Sequence, residues 1–121
     1  MTNAHDDLVD RYLAAWNETD PAARQDRVAR AWTEQGSYRD PALAADGHAA
    51  IAGMAAAVQQ RFPDHAFRRT GPVDAHNDRL RFGWELAPRA GGPPAVRGVD
   101  FATLAPDGRL ASVTGFFDHV A

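Results

Sequence analysis

The spacing of apolar residues changes once along this sequence, close to Pro63, and this change constrains the fold more than any other feature. Before Pro63, apolar residues recur three and four positions apart, which is the spacing of one helix face. After it they alternate with polar residues, most clearly in RLRFGWEL at 79–86, as in a strand with one buried face. The sequence therefore predicts helices followed by a sheet.

Three helices are predicted in the first half. Asn3 is expected to cap the first helix, which carries acids in its first turn. Asp20 and Pro21 suit the start of the second helix, whose apolar stripe extends to Trp32. The third helix is predicted over about 47–62, because the proline that follows cannot continue a helix.

The strands are predicted mainly in the second half, at about 65–76, 79–86, 95–104 and 109–118, with a short one at 36–39. Turn sequences such as AHNDR and APDGR separate them. Short connections favour antiparallel pairing. We therefore expect an α+β domain in which three N-terminal helices pack on a curved antiparallel sheet, a cone-shaped α+β barrel with a pocket at its wide end.

Composition excludes several classes of protein. The 121 residues fit one domain over 1–121, and 45% of them are hydrophobic. The net charge is −3 and the basic residues are dispersed, which argues against a nucleic-acid surface. The absence of cysteine excludes disulfides and thiolate metal sites. The five histidines form no pair with ligand spacing, so we expect no metal.

The start of the chain, MTNAHDDLVD, has no basic stretch followed by an apolar run, so we expect no signal peptide. No apolar stretch approaches the roughly 20 residues that a membrane span needs. We therefore expect a cytoplasmic protein that does not contact membranes.

Asp40, in the segment SYRDPAL, is the first candidate functional residue. The proline after it disfavours helical backbone at Asp40 and favours an extended conformation. One interpretation is that Asp40 only caps the short turn that follows, as Asp-Pro sequences often do. The other is that its carboxylate is a base that points into a pocket. The residues alone leave both open.

Asp100 is the second candidate. It is the polar member of a strand face that it shares with Val96, Gly98, Ala102 and Leu104. An unpaired buried carboxylate is costly, so such a group protonates or finds partners. We favour a buried Asp100, although the same face could be partly wetted with Asp100 at its edge.

Two further residues are weaker candidates. Tyr12 lies on the apolar stripe of the first helix, where a tyrosine is usually a core residue with a satisfied hydroxyl. Asp118 ends the last strand, and an acid at that place is most often exposed to solvent.

The whole chain resembles the nuclear transport factor 2-like superfamily, which includes ketosteroid isomerase, SnoaL-like polyketide cyclases and limonene epoxide hydrolase. The resemblance rests on RYLAAWNETDP in the first helix, YRDPALAADGHAAIAGM around the turn, and VDFATLAPDGRLASVTGFFD over the last two strands. The final segment is most similar to SnoaL-like proteins. These motifs indicate the fold better than the substrate, because one fold serves many functions.

The resemblance to ketosteroid isomerase implies a role for three residues. Asp40 matches the general base, Tyr12 matches an oxyanion-hole tyrosine, and Asp100 matches a protonated aspartate that is the second oxyanion donor. It implies a cofactor-independent enzyme that removes a proton next to a carbonyl and then isomerises or cyclises the product. The expected partners are a hydrophobic small molecule and a second copy of the chain. The expected binding residues are Trp16, Phe82, Trp84, Phe101, Phe116 and Asp118.

Two alternatives remain at the level of the sequence. One is a hydrolase or dehydratase in which Asp100 and Asp118 activate water. The other is a domain that binds a hydrophobic molecule, or dimerises, without chemistry.

Overall fold

Residues 4–121, which the computed structural model describes, form three helices and seven strands. Asn3, the predicted cap of the first helix, lies outside the described residues. The helices are α1 (Ala4–Asn17), α2 (Pro21–Ala31) and α3 (His48–Arg61). The strands are β1 (Trp32–Arg39), β2 (Ala44–Asp46), β3 (His65–Arg69), β4 (Asp74–His76), β5 (Arg79–Pro88), β6 (Val96–Leu104) and β7 (Leu110–Val120).

The start of α2 follows its sequence signals, but its end does not. Asp20 caps the helix by accepting a hydrogen bond of 2.9 Å from the Ala23 amide, and Pro21 follows it at the first position. Trp32 was predicted to belong to α2, which is wrong: its backbone is extended and it begins β1. Pairing of Trp32 with Leu110 of β7, and burial of its indole, outweigh the helical spacing.

The strands form one curved mixed sheet in the order β2-β1-β7-β6-β5-β3, with β4 also paired to β5. The predicted α+β class is confirmed, and the sheet is not closed. One pair differs from the expected pattern, because β1 runs parallel to β7. The long chain between these two strands permits a parallel pair, whereas the short turns of the second half enforce antiparallel ones.

Two strands differ in extent from their predictions. The predicted strand at 36–39 is the end of the longer β1. The predicted strand at 65–76 is interrupted at residues 70–73, between β3 and β4. Gly71 and Pro72 lie in this gap, and proline has no amide hydrogen to donate to a neighbouring strand.

The helices cover one face of the sheet, and the core lies between the helices and the sheet. From α1 the core receives Tyr12 and Trp16, and from β5 it receives the alternating apolar residues that the sequence indicated. Phe101 and Phe116 are 41% and 56% exposed, so they lie away from this core. Among the described residues, no helix is long and apolar enough to cross a membrane.

Candidate active site

Asp40 is held by its own turn immediately after β1. Its Oδ1 atom accepts hydrogen bonds from the amides of Ala42 (2.8 Å) and Leu43 (2.7 Å). Its Oδ2 atom accepts one from the Tyr38 hydroxyl at 2.6 Å. Each carboxylate oxygen can accept two hydrogen bonds, so one acceptor position remains, on Oδ2. Asp40 is therefore a turn-former whose carboxylate keeps a place for one more donor.

The alternation of β1 separates Asp40 from the arginine beside it. Arg39 points outward and forms an exposed salt bridge of 3.0 Å with Asp46 of β2. Tyr38 points inward and is 3% exposed. Because residues two apart on a strand share a side, Tyr38 and Asp40 meet while Arg39 is directed away.

Asp40 and Tyr38 line a cavity of about 240 Å³ between the helices and the sheet. Its wall is mostly aromatic and aliphatic, and the predicted binding residues Trp16 and Trp84 belong to it. Arg61 is the other charged residue of the wall among the described residues. The remaining lining residues are Ala42, Leu43, Val58, Phe62, Phe67, Leu86, Val96, Phe117 and Val120.

Asp100 is buried behind this wall, with both carboxyl oxygens occupied. Its Oδ2 atom accepts a hydrogen bond from the Tyr12 hydroxyl (2.8 Å) and its Oδ1 atom accepts one from the Trp84 indole (2.9 Å). Tyr12 is 1% exposed. The structure thus brings the two predicted oxyanion donors together, but neither lines the cavity. Trp84 connects Tyr12 and Asp100 to the cavity, because it belongs to the cavity wall.

The pKa of the Asp100 carboxyl is raised to about 7, mainly by burial and to a smaller extent by the charge of Asp40, while the hydrogen bonds from Tyr12 and Trp84 act in the opposite direction. Burial also raises the pKa of the Tyr12 phenol well above its usual value, with a contribution from the charge of Asp100. The two buried groups therefore favour their neutral forms, as expected for a carboxyl and a phenol removed from water.

Gly115 of β7 allows the two acids to approach each other. It pairs with Asp100 in the β6–β7 register. A Cβ atom at this position would lie 2.8 Å from Asp100 Oδ1, 3.2 Å from Asp40 Cβ and 3.3 Å from Tyr38 Oη. A side chain here would displace at least one of these groups, so the acid cluster depends on a glycine at position 115.

A β-bulge explains which side chains of β7 reach the cavity. The register shifts so that Gly98 pairs with Phe117 and Arg97 with His119, which leaves Asp118 without a partner. The shift places Val120 on the same side of β7 as Phe117, and both residues line the cavity. Asp118 is exposed, and it lies three residues beyond the one that pairs with Asp100.

The other predicted binding residues do not line the cavity. Phe82 is buried in the core, where its ring packs edge-on against Tyr12 at 5.8 Å. Phe101 and Phe116 were expected to line the pocket, but they lie on the exposed face of the sheet. Their strand parity places them opposite Asp100 and Gly115, which point inward.

Comparison with known proteins identifies the family. The model of the SnoaL-like domain matches residues 9–113. The chain belongs to the SnoaL-like family. This membership confirms the resemblance to the nuclear transport factor 2-like superfamily. No curated protein matches the sequence.

Solved structures similar to this SnoaL-like protein share its whole fold. A candidate isomerase of the SnoaL-like family from Agrobacterium tumefaciens is 37% identical, with a TM-score of 0.89 over 95% of this chain and 97% of that chain. A candidate polyketide cyclase from Sinorhizobium meliloti is 18% identical, with a TM-score of 0.68 over 94% and 99%. An NTF2-like protein of unknown function from Exiguobacterium is 20% identical, with a TM-score of 0.72 over 93% and 99%. The last two establish the fold alone.

Two residues of the SnoaL-like site were not assigned a role from the sequence. Tyr38 had a local signal, because a tyrosine two residues before a candidate base on a strand shares its side. Gly115 had none, because its importance depends on the register between β6 and β7. Within residues 4–121, no three acidic or histidine side chains are grouped so as to hold a metal ion.

The buried carboxyl of Asp100 should make stability depend on pH. Its pKa rises from 3.8 to about 7 on folding, so its stabilising effect is present at low pH and is lost as the pH rises towards 7. We expect the free energy of unfolding to fall between about pH 5 and about pH 8, with Asp100 contributing on the order of a few kcal/mol. Urea denaturation at both pH values measures it.

The matched variant is Asp100→Asn, whose amide does not titrate. It should fold at both pH values, because its amide oxygen can accept from the Trp84 indole while its NH₂ group donates to the Tyr12 hydroxyl. Its free energy of unfolding should also change less between the two pH values. Equal changes in the wild type and in Asp100→Asn would show that Asp100 does not retain a proton in the folded state.

Proposed function

We propose that this SnoaL-like protein is a cofactor-independent acid–base enzyme that enolises a hydrophobic ketone, with isomerisation or cyclisation as the outcome. Asp40 is the proposed base. The observation that carries the proposal is the position of its carboxylate: it lines a mostly apolar cavity and has one acceptor position left on Oδ2. A base in such a place can reach a carbon-bound proton while the wall excludes water.

The surroundings of Asp40 fit this chemistry. Two backbone amides hold Oδ1 in place, so the carboxylate stays oriented while Oδ2 acts on the substrate. Trp16, Phe67 and Trp84 provide aromatic surface for an apolar substrate. The similarity to a candidate SnoaL-like isomerase from Agrobacterium tumefaciens supports the same reaction class.

We propose that Tyr12 and Asp100 contribute to this site through Trp84. Their hydroxyl–carboxyl pair fixes the indole, since Asp100 Oδ1 accepts its N–H at 2.9 Å. In this arrangement Tyr12 does not reach the cavity, because its hydroxyl is buried and bonded to Asp100. Both are therefore positioning residues in our proposal.

One alternative has specific support. Asp40 already accepts three hydrogen bonds, which is what a purely structural turn residue would do. The second candidate function is therefore binding of a hydrophobic small molecule without chemistry. The hydrolase alternative has no comparable support, since neither Asp100 nor Asp118 lines the cavity.

Measurement of α-proton exchange distinguishes the proposed enzyme activity from binding without chemistry, and it does not require the natural product to be known. A panel of cyclic β,γ-unsaturated ketones would be incubated with the protein in heavy water, and loss of the α-proton signal followed by NMR. We expect saturable, protein-dependent exchange for at least one ketone. Saturable binding of the panel without any exchange would contradict the enzyme and favour the binding domain.

Homodimerisation stays a prediction. Phe101 and Phe116, which lie diagonally on the adjoining strands β6 and β7, provide exposed aromatic surface that a second copy could cover. Light scattering at micromolar concentration tests it, and a mass equal to that of one chain would refute it.

A further inference from the structure

Tyr38 is placed where a donor to the substrate would be needed. Its hydroxyl lies 2.6 Å from Asp40 Oδ2, the atom proposed to take the proton. Its ring is 3% exposed and packs edge-on against Trp16, with 5.5 Å between centroids. Among the described residues, its hydroxyl makes no other hydrogen bond. Tyr38 thus belongs to the cavity wall, with its hydroxyl beside the base.

The Tyr38 hydroxyl is a donor rather than a base. Burial, the charge of Asp100 and the hydrogen bond to Asp40 all raise the pKa of the Tyr38 phenol far above its usual value. The proton therefore remains on Oη throughout the neutral range. Oη also has acceptor capacity that no described residue uses.

We propose that Tyr38 is a catalytic residue that donates a hydrogen bond to the substrate carbonyl oxygen as the enolate forms. The inference rests on the proposed function of Asp40 as the base. It assigns to Tyr38 the donor role that the sequence had suggested for Tyr12, whose hydroxyl is committed to Asp100.

The proton taken by Asp40 is what releases Tyr38. The α-carbon–hydrogen bond breaks, its electron pair enters the enolate, and the proton bonds to Asp40 Oδ2. The proton occupies the acceptor position of Oδ2 that Tyr38 does not use, so the new O–H turns about the C–O bond before it donates to Tyr38 Oη. The Tyr38 O–H is then free to donate to the enolate oxygen. No proton leaves Tyr38. When Asp40 returns its proton to carbon, the original hydrogen bond is restored.

The distance supports this exchange of partners. In an enolate, the oxygen and the α-carbon are separated by a single carbon atom. A base and a donor that are themselves 2.6 Å apart can therefore face these two atoms at the same time. The hydrogen bond strengthens only as charge develops on oxygen, which is the kind of interaction that lowers a reaction barrier.

Removal of the hydroxyl tests the inference in the exchange reaction. Tyr38→Phe keeps the ring that packs on Trp16 and should lower kcat for α-proton exchange about 100-fold with little change in KM. Tyr12→Phe should lower it by a smaller factor, because that hydroxyl is behind the wall. The proposal would be overturned if Tyr38→Phe exchanged the α-proton as fast as an active wild type. It would also be overturned if Tyr12→Phe lowered kcat for exchange more than Tyr38→Phe does.

A binding experiment tests the inference even if no ketone is exchanged. In Asp40→Asn the amide oxygen should take the place of Oδ1 beside the two backbone amides, so the NH₂ group faces Tyr38 and mimics protonated Asp40. This variant should bind the ionised form of 4-nitrophenol, which mimics an enolate. Adding Tyr38→Phe should weaken that binding about tenfold to a hundredfold.

The NMR signals of the tyrosine rings test the same inference in a protein that keeps both tyrosines. The chain has two tyrosines, so isotope-labelled Asp40→Asn protein gives two ring signals. Addition of 4-nitrophenol should shift the Tyr38 signal more than the Tyr12 signal. Equal affinity of the single and double variants, no binding by Asp40→Asn, or a larger shift at Tyr12 would each overturn the role of Tyr38. Absence of exchange by the wild type alone would instead refute the proposed function.

Discussion

Replacing Asp40 with asparagine should lower the rate of ketone α-proton exchange about 1,000-fold while leaving the fold intact. The amide cannot accept the proton at neutral pH, so the base is lost. Its oxygen can still accept the hydrogen bonds from the Ala42 and Leu43 amides, so the turn after β1 should persist. NMR exchange measurements and urea denaturation of the same protein separate the two effects.

The matched control is Asp46→Asn, which makes the same chemical change on the neighbouring strand β2. Asp46 is exposed and pairs with Arg39, which points away from the cavity. Loss of a fully exposed salt bridge changes stability little, because water screens the two charges. We expect this variant to retain the wild-type exchange rate. An Asp40→Asn protein that exchanges as fast as Asp46→Asn would remove Asp40 from the mechanism.

Gly98→Ala should lower the free energy of unfolding by about 3 kcal/mol, near the upper end for the insertion of one methyl group into a packed interior. A Cβ atom at Gly98 would lie 2.2 Å from the backbone oxygen of Phe116 and 2.7 Å from Trp84 Cζ2. The first contact is with backbone, so β6 and β7 must separate to relieve it. The second displaces the indole that bonds to Asp100.

Gly53→Ala is the control for this substitution. Gly53 lies within α3, and a Cβ atom there meets nothing within 4 Å. Alanine favours the helix over glycine, so this variant should be more stable by about 0.5–1 kcal/mol. Urea denaturation of both variants measures the contrast. If Gly98→Ala were as stable as Gly53→Ala, the close approach of Trp84 to β6 would not be a constraint.

Helices and strands were predictable from the sequence where the spacing of apolar residues and the turn residues decide them. The alternation of 79–86 corresponds to β5, and the predicted third helix at about 47–62 corresponds to α3. Trp32 departed from its helical spacing because a partner strand 78 residues later in the chain captured its backbone. Strand pairing at that distance leaves no periodic signal in the sequence.

The candidate site, like the fold, was predictable only in part: its residues could be named, but not their arrangement. Asp40, Tyr12 and Asp100 were named from their positions, and the structure places the last two in direct contact. Their distribution was not predictable: Asp40 lines the cavity, whereas Tyr12 and Asp100 lie behind Trp84. The bulge at Asp118, which brings Val120 to the cavity side of β7, was not predictable either.

The sequence by itself determined the order of helices and strands, the α+β class and the acidic residues available for chemistry, because periodicity and turn residues act over short distances. Only the tertiary structure decided that β1 lies parallel to β7, that Gly115 makes room for two carboxyl groups, and that Tyr38 rather than Tyr12 accompanies Asp40 at the cavity. Each of these depends on the register between strands that are distant in the chain. Register is set by the packing of the whole core, and no short segment encodes it.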